Sequence, residues 1–147
     1  MLRGAVGRQQ KAASRSCHLL MFTVGGRRLA VKTEEIGGIS AWKGSFPIPS
    51  LTPFVSAVVR QDRGVFPVFD LAQLLRVTVQ GEQALCLLAK QPGGAMAICI
   101  DEEMPSLHMP DTGTVHPYRG QDVPAVESVF VGFEEVPIIS LARLGNA

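Results

Sequence analysis

Two stretches of this chain repeat each other, and that duplication limits its possible folds more than any other feature. Thr33-Glu34-Glu35-Ile36 is answered 68 residues later by Asp101-Glu102-Glu103-Met104. Phe66-Pro67-Val68-Phe69-Asp70-Leu71-Ala72-Gln73-Leu74 is answered 70 residues later by Val136-Pro137-Ile138-Ile139-Ser140-Leu141-Ala142-Arg143-Leu144. A nearly constant offset between dissimilar segments means two copies of one structural plan, over approximately 18–80 and 81–145.

The plan is built of strands. Apolar runs of four to seven residues recur between turn residues, and few keep a helical period for long. Leu19 to Val24, Gly25-Gly26 and Leu29 to Val31 predict a hairpin, because paired glycines supply the positive φ angles of a tight connection. Leu85 to Ala89, Gln91-Pro92-Gly93-Gly94 and Ala95 to Ile100 predict a second. Phe54–Val59 with Val65–Phe69, and Ser128–Phe133 with Val136–Ile139, predict two more. In both copies a proline-containing strand runs into Asp70 or Ser140, residues that cap a helical turn. The turn's leucines would fold back onto the strands.

The chain has 147 residues, 46% hydrophobic and 18% charged, enough for one ordinary domain or two very small ones with a common core. A half of this size buries too little surface to stand alone, so two small barrels should pack side by side. A groove between them suits a peptide or a helical hairpin better than a small substrate.

Charge is unevenly placed. All seven basic residues through Lys32 precede the first acid, Glu34, while the whole chain carries only +1. Residues 1–16 read as a flexible basic tail ahead of a domain at 17–147, with no signal-peptide core. A nucleic-acid-binding double barrel led by that tail is the alternative reading, and the acidic excess on the body argues against it. The longest uncharged stretch, Gly44 to Val59, holds Pro47, Pro49 and Pro53 and would not span a membrane as a helix, so no direct membrane insertion is expected.

No fingerprint of catalysis or metal binding is present. His18, His108 and His116 are scattered, and Cys17 and His18 are adjacent in a strand start, where neighbours face opposite ways. Ser106, His108 and Asp111 lie between Pro105 and Pro110 or just beyond them, in what reads as loop rather than a hydrolase triad. A hydrolase using His108 or His116 is the weakest reading. Three cysteines without Cys-x-x-Cys suit a reducing cytosol. A two-residue Pro92-Gly93 turn would set Cys86 opposite Cys99, as reduced core thiols. Asp101, Glu102 and Glu103 read as a solvated strand end, and Trp42 as a lid on the core.

These pieces together resemble the CheW-like coupling domain of bacterial chemosensory systems, from Leu19 to Leu144. The resemblance is carried by Leu20-Met21-Phe22-Thr23-Val24-Gly25-Gly26 with Leu29-Ala30-Val31, by Ile36 and Ile39, and by Phe46-Pro47 followed by Pro53. Val65-Phe66-Pro67-Val68-Phe69-Asp70-Leu71, Ala97-Ile98-Cys99-Ile100-Asp101 and Ile138-Ile139-Ser140-Leu141 complete it. It implies an all-β fold of two SH3-like five-stranded β-barrels packed side by side, each followed by a short helical turn. It also implies a cytoplasmic, noncatalytic adaptor with no cofactor, recruited to membrane receptor arrays. Its partners would be a CheA-type histidine kinase regulatory domain and the helical hairpin at a chemoreceptor's cytoplasmic tip.

By position, Ile36, Ile39 and Val58 would offer apolar contacts to the receptor. The kinase would use exposed strand ends. One departure stands out. Where the family usually reads Asn-Leu-Arg-Gly this chain reads Arg60-Gln61-Asp62-Arg63, and where it commonly has a glutamate that can pair with the arginine stands Gly38. Both members of the ion pair change together, so no lone charge is left behind. The expectation is a divergent complex whose receptor offers a basic group to Asp62.

Overall fold

A computed structural model describes residues 18–61, 64–91 and 94–144. Gly25 and Gly26 take φ of +63° and +81°, as the first hairpin requires, and join β1 (Leu19–Val24) to β2 (Arg27–Lys32). A 3-10 turn at Thr33–Glu35 leads into β3 (Ile36–Ala41), followed by β4 (Phe46–Pro47), β5 (Val55–Gln61), β6 (Gly64–Phe69) and the helix α1 (Leu71–Leu75). The second half runs β7 (Leu85–Gln91), β8 (Gly94–Ile100), β9 (Ser106–His108), β10 (Val115–Pro117), β11 (Ala125–Val131) and β12 (Glu134–Ile139), with a closing 3-10 turn at Leu141–Arg143.

Among the described residues twelve strands form two six-stranded sheets, ordered β10-β11-β12-β2-β1-β9 and β3-β7-β8-β6-β5-β4. Adding six to each number in the second, and counting past twelve back to one, reproduces the first in reverse. The short edge strands β4 and β10 bring each count to six where the resemblance implies five. Finer details repeat as well. Each sheet has one parallel junction, Val68↔Ala97 in one and Ile138↔Ala30 in the other. Each also has a bulge in the strand pair leading to it, between Val55 and Ala57 or between Ala125 and Glu127.

The halves nevertheless exchange parts. Hairpin β1–β2 joins β9–β12, and hairpin β7–β8 joins β3–β6. Each sheet thus draws on both halves of the chain, and neither half completes a sheet alone. Parallel pairing demands a long crossover, and the intervening strands supply it.

Burial reflects this layering. One core fills the space between the sheets, with Leu20, Phe22, Leu29 and Val31 of the first meeting Phe69, Leu87, Ile98 and Ile100 of the second. Smaller cores fill the opposite faces: Leu19, Met21, Ala30 and Val129 in the first sheet, Val59, Val68, Cys86 and Ala97 in the second. Strand β1 is therefore buried on both faces, which is why it is apolar almost throughout. Trp42 and Phe66 pack against the second small core, Trp42 as the expected lid.

Asp70 caps α1 as its sequence position predicts, accepting from Gln73 N–H at 3.0 Å, while Leu71 and Leu75 enter the shared core. Ser140 makes no such side-chain cap, and the chain beyond it winds into a 3-10 turn instead of an α-helix. The leucines of that turn, Leu141 and Leu144, are buried all the same. Expectations concerning residues 1–16, Cys17 and the Pro92-Gly93 turn lie outside the described residues.

Candidate partner-binding site

The site residues are sorted by strand alternation. On β5, Ala57 and Val59 point into the small core of the second sheet, so Val58 and Arg60 stand on its other face. On β6, Phe66 and Val68 belong to that small core while Phe69 belongs to the shared one. Val65 and Pro67 therefore join Val58 and Arg60. Residues directly opposite share a face: Phe46 is paired with Val58, Val58 with Pro67, and Arg60 with Val65. On β3, Ile39 stands opposite Leu87, a residue of the shared core.

Ile36, Ile39, Val58 and Arg60 thus lie on the face of the second sheet that also meets the first sheet. Ile36 is half-buried against the shared core, Ile39 is 38% exposed, Val58 is half-buried and Arg60 is exposed. The ends of β3 and β5 are tied by the buried Gln61, whose Nε2 donates to Ala41 O at 3.2 Å. Gly38 pairs with Leu88, on the alternate face from Ile39, and a Cβ built there would meet nothing within 4 Å. Asp62 and Arg63 lie outside the described residues.

The chemistry elsewhere is structural. Cys86 faces Cys99 across β7 and β8, in the register expected, and both are free thiols. Burial pushes both pKa values up, that of Cys99 to about 11. Among the described residues, no three His, Cys, Asp or Glu side chains gather where they could hold a metal ion. No helix among them is long and apolar enough to cross a membrane. Beside β9 on the first sheet lies a cleft of about 150 Å³ lined by Met21, Arg28, Met104, Leu107 and Val131. It has room for a side chain rather than a substrate.

The acidic tetrad requires a correction. Glu102 and Glu103 are exposed, but Asp101 is only 3% exposed and is no part of a solvated strand end. Its Oδ1 accepts from the N–H groups of Gly25 and Gln80, both at 2.8 Å, and its Oδ2 from that of Gly26 at 2.7 Å. Burial alone would raise its pKa, but these three donors hold it below the usual carboxylate range. The group fastens the hairpin turn of one sheet to the end of β8 in the other.

A family model described as the CheW-like domain matches residues 18–144. This chain belongs to the CheW-like domain family. Membership places it among chemotaxis scaffold and adaptor proteins. In structure the CheW-like domain is similar to the scaffolding protein TtCheW from Thermoanaerobacter tengcongensis, with a TM-score of 0.76 at 11% identity over 87% of this chain and 86% of that one. At such low identity the likeness speaks for the fold. A comparison with curated proteins finds no match.

Three further residues of the CheW-like domain share the candidate face without having been named as site residues from sequence: Pro67, exposed, Phe46, 63% exposed, and Val65, 59% exposed. The alternation Val65-Phe66-Pro67-Val68 could have placed Val65 outward. Phe46 carried no such signal, because β4 is only two residues long.

Proposed function

We propose that this chain is a noncatalytic cytoplasmic scaffold joining the helical hairpin at a chemoreceptor's cytoplasmic tip to the regulatory domain of a CheA-type histidine kinase. It would work without a cofactor or nucleic acid, at receptor arrays. One observation supports this above others. The face of the second sheet that packs on the first continues into solvent with Ile39, Val58 and Arg60 still on it. An amphipathic helix lays its apolar stripe on a surface of that kind. Asp62, which follows Gln61 in the sequence, would receive a basic group from the receptor, and the kinase would meet exposed strand ends.

Calorimetric titration against a receptor-tip fragment and against the kinase regulatory domain tests the proposal. Stoichiometric binding to both, without turnover of any substrate, is expected. Absence of binding to both would overturn it. An unchanged receptor affinity in Asp62→Arg would remove Asp62 from the interface.

A further inference from the structure

We propose that Phe46 anchors the docked receptor helix and that Arg60 selects for a carboxylate beside that helix's apolar stripe, an inference that rests on the adaptor reading above. Phe46, Val58 and Pro67 form a straight row across β4, β5 and β6, with Arg60 and Val65 as the next row. Three adjacent strands span about 10 Å, close to the width of a helix. A large aromatic left mostly in solvent at one end of such a row is the kind of side chain on which interfaces concentrate their binding energy.

The occupant is a helix rather than an added strand. The edge strand here, β4, has two residues, and one is Pro47, which has no N–H to offer a partner strand. The charge follows from the face itself. Of Phe46, Val58, Arg60, Val65 and Pro67, only Arg60 is ionisable, and it forms no ion pair among the described residues. A helix flanked by Asp or Glu complements that face, and one flanked by Lys is repelled. The pseudo-equivalent positions of the first sheet have diverged. There Phe130 stands where Arg60 stands here, Glu135 where Val65 stands and His116 where Phe46 stands. Selectivity for an acid-flanked helix therefore belongs to the second sheet.

The test uses the full chain and two synthetic amphipathic helical hairpins with the same apolar stripe, one flanked by Glu and one by Lys, together with a receptor-tip fragment. The Glu hairpin should bind the wild type at least about tenfold more tightly than the Lys hairpin, in a salt-dependent way. Phe46→Ala should weaken the Glu hairpin and the receptor tip by about tenfold or more. Arg60→Glu should reverse the hairpin preference, and Val65→Glu should weaken the Glu hairpin as a second, independent lesion. All three positions are exposed, so unchanged thermal melting serves as the folding check. If the tip binds wild type and variants alike, or the two hairpins bind equally, the inference falls while the adaptor reading stands. If the tip does not bind the wild type, the inference falls, and if the kinase regulatory domain does not bind it either, the adaptor reading falls too.

Discussion

The Asp101 carboxylate, just past the end of β8 in one sheet, accepts the Gly25 N–H at 2.8 Å from the β1–β2 turn of the other. Asn at 101 would keep one acceptor but set an amide N–H₂ against backbone donors, leaving at least one of them unpaired. Asp101→Asn should cost about 2 kcal/mol or more in urea unfolding at neutral pH. Because the folded-state pKa is depressed, the stabilisation is present above about pH 4 and lost as pH falls through the folded value. The gap between wild type and variant should therefore narrow on acidification. A gap constant with pH would show that the charge is not the cause.

Gly25 and Gly38 predict opposite outcomes for the same substitution. At Gly25, with φ +63°, a Cβ would lie 2.4 Å from Val77 Cβ. Gly25→Ala should lose at least about 2 kcal/mol through strain and clash together. Gly38→Ala should stay within about 0.5 kcal/mol of wild type, since the added methyl meets nothing within 4 Å. Thermal melts of the two variants check this directly.

Gln61 closes the gap between β3 and β5 from inside the sheet. Gln61→Leu strands the Ala41 carbonyl and should cost about 1–2 kcal/mol. The Gln61 side chain also lowers a Cys86 pKa that burial has raised. Its loss should push that thiol higher still in the folded state, while the lower stability should speed alkylation of the buried Cys86 above the wild-type rate, because modification proceeds through opening.

Cys86 and Cys99 should behave as inert core thiols. In a Cys17→Ser background, iodoacetamide at pH 8 should modify the unfolded chain rapidly, the buried Cys86 of the native protein only through opening events, and the half-buried Cys99 slowly because its raised pKa leaves little thiolate. A folded thiol pKa above the unfolded one stabilises below the unfolded value and ceases to do so as pH rises. Stability should therefore fall between the ordinary 9.0 and the value of about 11 for Cys99, by less than about 1.4 kcal/mol per pH unit because Cys99 is partly solvated. A Cys99→Ala variant that shows the same alkaline loss would contradict this.

Local pattern alone determined the eight strands of the four hairpins, the Gly25-Gly26 turn, the Asp70 cap, the Cys86–Cys99 register and the duplication, because each depends on neighbours in the chain or on a period of two. Strands β3, β4, β9 and β10 carried no such pattern, and Ser106–His108, which reads as loop, is strand β9 because it pairs with β1. Even the resemblance that pointed to a receptor groove rested on order and spacing. The tertiary structure decided which hairpin joins which sheet. That choice is made by the shared core, where apolar faces from both halves are buried against each other. The same long-range packing turned Asp101 from an apparent surface acid into a lock between sheets, and it set Phe46 beside Val58 on one exposed face. Neither relationship has a local signature, since the first joins residues 76 positions apart and the second depends on a strand of two residues.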